Sequence, residues 1–344
     1  MARHAFIIGG TGQIGRATSI ELLNRGWRVT LTSRGKRPAD NDLVARGARI
    51  ITLDREQPSA LATALADGAD AVIDTIAYTA AHADQLLDVQ GDVGAFVAIS
   101  SSSVYRDSAG RTLNQAGELG FPNFPEPITE AQATVDPGPQ TYSTRKVALE
   151  RRLLDRATKP VTILRPCAIH GTHTVHPREW WFVKRMLDRR KIIPVAYRGQ
   201  SRFHTSATAN IASLIAVALD HPGTRIFNSA DPVALNVAEI GAVIAKHMNY
   251  EGSILPLDIG NDNGHEGIGD TPWSAPLPHV LNTDAASALG YKPATTYENA
   301  VGEVCDWLVA THGPDWRVDF PVLAGYPVDL FDYSAEDEYF ASAG

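Results

Sequence analysis

The run Gly9-Gly10-Thr11-Gly12-Gln13-Ile14-Gly15 decides the fold expected for this chain. It follows the apolar segment 5–8 and opens residues 14–25, where apolar side chains recur at helical spacing. In such a strand–turn–helix unit, the first glycine permits a tight turn, the second lets the backbone approach a phosphate, and the third lets helix and strand pack closely. The N-terminus of the helix also attracts phosphate. The run therefore predicts a dinucleotide site that contains Gly9, Thr11, Gly12, Gln13, Ile14 and Gly15.

Outward from this run, short β-rich segments alternate with helical segments through the first 170 residues. We predict strands at residues 4–8, 28–32, 49–53, 71–75, 95–100 and 161–165, and helices that include 14–25 and 142–157. Strands and helices that alternate at this spacing form a parallel sheet covered on both faces. The pattern predicts an α/β fold, a Rossmann-type doubly wound parallel sheet with a smaller C-terminal substrate-binding lobe.

The pattern loosens after residue 170, where Pro, Trp and His become frequent. We predict that residues 1–169, with a return segment at about 205–230, form the NAD(P)-binding domain. Residues 170–204 and 231–320 would then form the substrate-binding lobe. The acidic, aromatic tail 321–344 could cover the pocket, pack on a partner subunit or be disordered.

Composition excludes several classes of function. The 344 residues carry 31 Lys and Arg against 39 Asp and Glu, a net charge of −8, which argues against nucleic-acid binding. Two cysteines are too few for a disulfide scaffold and indicate a reducing compartment. No segment has the length of a membrane span or the pattern of a signal peptide. We therefore expect a soluble, cytoplasmic protein without nucleic-acid or membrane partners.

The end of the second predicted strand distinguishes the two nicotinamide cofactors. An Asp or Glu there would bind the ribose 2′-hydroxyl of NAD, but the chain has Thr32-Ser33-Arg34-Gly35-Lys36-Arg37. Ser33 and Arg34 suit a 2′-phosphate, whereas the next two cations could form a solvated turn. This predicts NADP, with NAD less favoured. Asp54 and Arg55 follow the third predicted strand and are placed to meet the adenine, unless they form a surface ion pair.

A second motif carries the chemistry. Tyr142 and Lys146 are four residues apart and share one helical face, and an ammonium beside a phenol lowers the phenol's pKa. The serine run 100–103 ends the fifth predicted strand and offers hydroxyls to a substrate oxygen. A lone Tyr-x-x-x-Lys pair is a common helical spacing. Its conjunction with the glycine run and the serines predicts a proton relay for hydride transfer to or from nicotinamide.

With these motifs the chain resembles the extended short-chain dehydrogenases/reductases of the NAD-dependent epimerase/dehydratase group, over roughly residues 4–310. Further matching segments are Leu164-Arg165-Pro166 and Ala288-Leu289-Gly290-Tyr291-Lys292-Pro293. The resemblance implies that Tyr142 is the general acid/base, that Lys146 binds the nicotinamide ribose and that Ser101 holds the substrate oxygen. It also implies cofactor contacts from Ala77, Tyr78 and Arg165, and a possible homodimer.

Departures from the family pattern bear on the substrate. Dehydratases of this group resemble one another in an Asp-Glu pair, which is replaced here by Ser102 and Ser103. A dehydratase is therefore disfavoured. Sugar-nucleotide enzymes resemble one another in an asparagine that contacts the diphosphate, and Ala168 cannot donate that hydrogen bond. A nucleotide-sugar substrate is therefore in doubt.

The segment after residue 166 supplies the remaining candidates. His170, His173 and His176 recur every three residues, which is not a standard metal-ligand spacing, so we predict no metal. His170 could instead donate a hydrogen bond to the substrate or act as a second acid/base, or belong to a loop of solvated histidines. The predicted substrate contacts are Ser102, Ser103, His170, Trp181 and His204, although core packing is the alternative for Trp181.

The leading hypothesis is an NADP-dependent oxidoreductase that interconverts a secondary alcohol and a ketone on a small metabolite. The first alternative is an NAD(P)-dependent epimerase that uses the same residues on a sugar or sugar-like substrate through a transient keto intermediate. A cofactor-sensing binding protein is the alternative from another class, because fold does not fix function.

Overall fold

In a computed structural model, which describes residues 2–35, 40–260 and 267–343, the chain folds as two units. The first unit comprises Met1–Cys167, Thr208–Ala230 and Leu281–Ala294, and the second comprises Ala168–Ala207, Asp231–Val280 and Thr295–Gly344. The main boundary lies two residues before the predicted one. Residues 281–294 also differ from the prediction, because they belong to the first unit. There Leu281 forms a β-bridge with Ile128, and the Tyr291 hydroxyl donates to the backbone carbonyl of Asn210.

The secondary structure alternates as the sequence predicts. The strands are β1 His4–Ile8, β2 Arg28–Ser33, β3 Arg49–Thr52, β4 Ala69–Asp74, β5 Val93–Ile99, β6 Val161–Pro166, β7 Ala168–His170, β8 Ile192–Val195, β9 Thr205–Ala207, β10 Arg225–Ser229 and β11 Ser253–Pro256. The α-helices are α1 Gln13–Asn24, α2 Asn41–Ala45, α3 Ala60–Ala64, α4 Ala80–Asp88, α5 Ala116–Leu119, α6 Tyr142–Arg156, α7 Trp180–Leu187, α8 Thr208–Asp220, α9 Val237–His247, α10 Asp284–Ala288, α11 Tyr297–Thr311, α12 Trp316–Asp319, α13 Pro321–Ala324 and α14 Tyr333–Ala343. Among these described residues, no helix is long and apolar enough to cross a membrane.

The first unit is built on a seven-stranded parallel sheet in the order β3-β2-β1-β4-β5-β6-β10. The predicted doubly wound α/β fold is confirmed. All five residues of β1 are buried, as expected for a strand with helices on both faces of its sheet. Helices α1 and α8 pack against each other, as do α4 and α6.

The order of the strands determines which edge of the sheet carries the predicted cofactor and catalytic residues. The chain runs outward from β1 through β2 to β3, and then returns to β4 on the other side of β1. At such a switch point the loops after neighbouring strands diverge and leave a crevice at the carboxyl edge of the sheet. The glycine run follows β1, while the serine run follows β5. Both therefore lie at this one edge.

The second unit has a hydrophobic core of its own, and the C-terminal tail contributes to it. Leu323, Leu330 and Phe331 are buried there, with 1%, 4% and 8% of their surface exposed. The guanidinium of Arg185 donates to the Glu336 carboxylate at 2.7 Å, and both side chains are almost wholly buried. The sequence left three roles open for the tail, and packing on its own unit, which the described residues show, is not among them.

We expect removal of residues 321–344 to unfold the second unit. Burial of each large apolar side chain contributes about 1.5–3 kcal/mol, and a buried arginine without its carboxylate costs about 3–5 kcal/mol. Together these losses are comparable to the stability of a whole domain. Differential scanning calorimetry should show the loss of an unfolding transition. Removing only residues 341–344, where Ala341 and Ser342 are exposed, should leave the profile unchanged; an intact profile after the longer deletion would contradict the prediction.

Candidate active site

Packing and backbone conformation within the protein require glycine at two positions of the glycine run, but not at the third. Gly9 has a φ of +79°, which disfavours side chains. A Cβ on Gly15 would lie 2.4 Å from the Gly9 carbonyl oxygen, so packing requires a glycine there. A Cβ on Gly12 would meet only that same oxygen, at 3.4 Å, which is an ordinary contact. Gly12 is therefore not needed for packing, as expected if a bound group comes close to its backbone.

The start of α1 fits the phosphates of a dinucleotide. Gly12 is the N-cap of the helix, and its first turn contains no acidic residue. Such a helix start offers free N–H groups and the positive end of the helix dipole. The Oε1 atom of Gln13 is buried without a hydrogen-bond partner among the described residues. Gly12, Gln13 and their neighbours Thr11 and Ile14 therefore fit the cofactor that the sequence predicts.

The adenine end of the predicted site is only partly described. Ser33 ends β2, and its Oγ accepts from the Gly35 N–H at 3.1 Å, while Arg34 and Asp54 are exposed. Lys36 and Arg37 lie outside the described residues.

Arg55 differs from the prediction that it contacts the cofactor. Its guanidinium donates to the Asp74 carboxylate at 2.7 Å, the Gln85 side chain at 2.9 Å and the His82 carbonyl at 3.4 Å. Only 6% of the residue is exposed. The guanidinium of Arg55 is thus paired with buried groups of the protein. The alternative, a surface ion pair of Asp54 and Arg55, is excluded because Arg55 is buried.

The structure brings Ser101, Tyr142 and Lys146 together at the carboxyl edge. Tyr142 is the first residue of α6, which begins at a capping box formed by Thr141 and Thr144. The Ser101 hydroxyl acts on the Tyr142 phenol and lowers its pKa. The rings of Tyr142 and Tyr78 meet edge to face, with centroids 5.6 Å apart.

The pKa of Tyr142 differs from the expectation that Lys146 would lower it. Burial raises it to about 12, the Tyr78 phenol adds to the rise, and the hydrogen bond from Ser101 opposes it. The Lys146 ammonium lies 5.6 Å from the centre of the Tyr142 ring. Burial therefore favours the protonated form of Tyr142 at neutral pH.

Lys146 is held at the ends of two strands. Its Nζ donates to the carbonyl of Ala77 at 2.6 Å and to that of Ile99 at 2.9 Å, and it lies 4.6 Å from the centre of the Tyr78 ring. Burial lowers the pKa of this ammonium to about 8, while the carboxylates of Asp74 and Glu150 oppose that change.

The other serines of the run face different partners. The Ser101 Oγ accepts from the Ser103 N–H at 3.2 Å. Ser103 also accepts from the hydroxyl of Ser143, through its carbonyl at 2.7 Å and its Oγ at 3.1 Å. Ser102 is 2% exposed. Ser101 is thus the serine that the structure sets beside Tyr142.

Arg165 lies beneath these groups in a buried ion pair. Its Nε and Nη2 donate to the two carboxylate oxygens of Glu150 at 3.0 and 2.5 Å, and the same carboxylate accepts from the Ser100 hydroxyl. The guanidinium lies 5.0 Å from the ring centre of Tyr105. Arg165 joins β6 to α6, with 3% of its surface exposed, and its predicted cofactor contact stays a prediction.

The predicted substrate residues of the second unit are all buried. His170 is 2% exposed and its Nε2 lies 2.7 Å from the Asp231 carboxylate, which also accepts from the Thr205 hydroxyl at 2.6 Å. Trp181 is wholly buried in the core, where the guanidinium of Arg185 covers its ring at 3.6 Å. This packing is the alternative that the sequence left open for Trp181.

The other histidines have separate partners. His204 is 4% exposed and bonds the Asp231 carbonyl at 2.9 Å. His173 stacks on Trp307, and His176 bonds the Tyr326 hydroxyl. The described residues contain no group of three or more His, Cys, Asp or Glu arranged to hold a metal.

Sequence reasoning missed the two carboxylates that face Lys146. Glu150 lies four residues after Lys146 on α6, so helical spacing alone could have identified it. Asp74 ends the apolar strand β4 with none of its surface exposed. A charged residue at the end of a buried strand requires a partner, and that signal was available.

The fold and this cluster define an extended short-chain dehydrogenase/reductase. Residues 5–230 match the NAD dependent epimerase/dehydratase family, and the chain belongs to that family. The predicted family and the predicted NAD(P)-dependent enzyme class are thereby confirmed. The sequence matches none of the curated proteins with which it was compared.

Solved structures show the same fold at low sequence identity. A UDP-glucose-4-epimerase from Stenotrophomonas maltophila with bound NAD has a TM-score of 0.69 and 16% identity, over 90% of this chain and 98% of its own. A dTDP-glucose 4,6-dehydratase from Bacillus anthracis in complex with NAD has values of 0.67 and 14%, over 90% and 98%. A UDP-glucose 4-epimerase from Thermotoga maritima has 0.66 and 15%, over 90% and 99%.

We expect Gly12→Ser and Gly15→Ser to have opposite consequences. A Cβ is accommodated at Gly12 and serine is a good N-cap, so the free energy of unfolding should change by less than about 0.5 kcal/mol. NADH and NADPH binding should weaken about tenfold or more, equal to about 1.4 kcal/mol. Gly15→Ser should cost about 1–3 kcal/mol of stability through overpacking. Denaturant titration and fluorescence titration measure the two effects; unchanged cofactor affinity in Gly12→Ser would contradict the proposed role of Gly12.

Proposed function

We propose that the chain is an NAD(P)-dependent epimerase that acts on a secondary alcohol of a sugar or sugar-like small molecule through a transient ketone. The observation that carries the proposal is the cluster of Ser101, Tyr142 and Lys146 at the edge that also carries the glycine run. Family membership supports the epimerase over the net oxidoreductase that the sequence favoured. Two of the three structural neighbours above are epimerases.

The residues would divide the chemistry between them. A bound nicotinamide would accept hydride from the alcohol carbon and return it to the other face of the ketone. The alcohol proton would pass to the phenolate form of Tyr142, which the positive charges of Lys146 and of a bound oxidised nicotinamide would favour, as the ketone forms; Tyr142 would then return that proton to the oxygen as the alcohol is restored. Ser101 hydrogen-bonds the same oxygen, and Lys146 holds a positive charge beside both tyrosine rings.

The second candidate is the NADP-dependent oxidoreductase with net turnover of cofactor. The observation that favours it is the end of β2, where Ser33 and exposed Arg34 stand without an acidic residue. Such an end suits a 2′-phosphate, and we propose NADP as the preferred cofactor in either case. The homodimer and the cytoplasmic location stay proposals supported by the resemblance and the cysteine content.

Position 168 bears on the substrate. Ala168 is 1% exposed and its N–H donates to the His204 carbonyl at 3.0 Å. Its methyl side chain can form no hydrogen bond with a diphosphate, which favours a sugar-like substrate over a nucleotide sugar. Ser102 and Ser103 stay proposed polar contacts. We no longer propose Trp181, because its whole surface is covered by core residues; His170 and His204 stay predictions.

The test is turnover with free hexoses, polyols and nucleotide sugars in the presence of NAD or NADP. We expect isomerisation without net cofactor consumption. Tyr142→Phe should slow it at least about 100-fold, the loss typical of a general acid/base, while the variant still binds cofactor. Stoichiometric consumption of NADPH would replace the epimerase with the oxidoreductase. Full biological activity of Tyr142→Phe would favour the cofactor-sensing alternative.

A second prediction concerns cofactor choice. Because Arg34 is exposed, Arg34→Ala should leave stability unchanged to within about 0.5 kcal/mol. It should weaken NADPH binding about tenfold, as expected for loss of a charge-assisted bond of about 1.5–3 kcal/mol, and leave NADH binding unchanged. Equal affinities of the variant and the wild type for NADPH would show that Arg34 does not contact the 2′-phosphate.

A further inference from the structure

Asp74 is a buried carboxylate that the proposed chemistry does not itself use. We propose that Asp74 is a positioning residue for Lys146, which fixes the turn that presents the Ala77 carbonyl and supplies the counter-charge that keeps Lys146 an ammonium. The proposal deepens the proposed function and rests on it for its consequence, because Lys146 assists Tyr142 there.

The first step is the anchoring of Asp74 by Arg55. The two side chains are 0% and 5% exposed, and Arg55 Nη1 lies 2.7 Å from Asp74 Oδ2. Arg55 is fixed in turn by Gln85, which accepts from Nε at 2.9 Å and donates to the Arg55 carbonyl at 3.0 Å. The carboxylate therefore has one defined position.

The second step is the turn that follows β4. The other carboxylate oxygen of Asp74 accepts from the Ile76 N–H at 3.0 Å. One residue later the Ala77 carbonyl accepts from Lys146 Nζ at 2.6 Å. The hydroxyl of Thr75, in the same turn, donates to the Ile8 carbonyl at 2.9 Å. Asp74 thereby determines where one of the two carbonyls that hold Lys146 lies.

The third step is electrostatic. The carboxylates of Asp74 on β4 and Glu150 on α6 act on Lys146 through their charge and raise its pKa, without an ion pair to it among the described residues, and the rings of Tyr78 and Tyr142 lie beside its Nζ. Glu150 is already bound by both arms of the Arg165 fork and by the Ser100 hydroxyl. Burial lowers the pKa of Lys146 to about 8, and Asp74 is the first of the groups that oppose this change. Loss of the Asp74 charge must then lower the pKa of Lys146 further.

The titration of Lys146 can be observed directly. The chain contains seven lysines, so protein labelled with ¹³C at lysine Cε gives a resolvable set of signals, and the spectrum of Lys146→Arg assigns the one that disappears. In the wild-type protein without added ligand we expect a midpoint near pH 8. In Asp74→Asn, which keeps the shape, we expect it to fall by about one pH unit or more.

Two further variants separate a charge effect from structural damage. Arg55→Met removes a cation and also the anchor of Asp74; a buried carboxylate without its partner needs another cation, and Lys146 is the ammonium whose pKa it already raises, so the midpoint should rise. This variant decides the question if Asp74→Asn does not fold. Glu336→Gln is the matched control, because Glu336 is 3% exposed and pairs with buried Arg185 at the same 2.7 Å. It should leave the midpoint unchanged.

The outcomes are exclusive. Opposite shifts in Asp74→Asn and Arg55→Met support the proposal. An unchanged midpoint in either variant, a shift in the same direction in both, or an equal shift in Glu336→Gln overturns it. The titration needs neither substrate nor cofactor, so it stands if no epimerisation is found. Conversely, epimerase activity with an unchanged Lys146 midpoint in Asp74→Asn would retain the proposed function and remove this inference.

Discussion

Burial of the Lys146 ammonium is the constraint that the carboxyl ends of β4 and β5 satisfy in the first unit. Removing a charge from water costs several kcal/mol unless hydrogen bonds and opposite charges replace the solvent. The carbonyls of Ala77 and Ile99 supply those hydrogen bonds, and they follow or end two neighbouring strands. Asp74 of β4 pairs in register with Ala98 of β5, so the two strands end together. The parallel sheet thus provides at one edge what a buried ammonium needs.

The same edge joins the ammonium to the glycine run. The Thr75 hydroxyl lies 3.3 Å from the Gly9 carbonyl oxygen, and a side chain on Gly9 would collide with Thr75 and Ile76. The turn after β4 therefore touches the glycine run on one side and holds Lys146 on the other. A change in this turn would affect both the predicted phosphate site and the predicted proton relay. The turn therefore connects the glycine run to the Lys146 ammonium beside Tyr142.

Sequence periodicity predicted the parallel sheet, the glycine run and the Tyr142–Lys146 pair, because each depends on spacing along one strand or helix. It did not predict Asp74 or the role of Arg55, because these residues meet across 19 positions of chain and only the strand order brings them together. The expected lowering of the Tyr142 pKa was wrong for a related reason. Sequence shows that an ammonium is four residues away, but not that it turns toward two backbone carbonyls while burial acts on the phenol.

The two units each bury an arginine–carboxylate pair at 2.7 Å, and the comparison shows what makes Asp74 different. In both pairs the carboxylate also acts on a second cation. For Glu336 that cation is Arg190, whose Nη2 lies 3.5 Å from the carboxylate. Arg190 is partly exposed, so water also solvates its guanidinium, and the charge of Arg190 does not depend on Glu336. Such a pair chiefly fixes where α14 docks. For Asp74 the second cation is Lys146, 3% exposed, and no water replaces the carboxylate. A similar ion pair can therefore fix a helix in one unit and, as we propose, govern the protonation of Lys146 in the other.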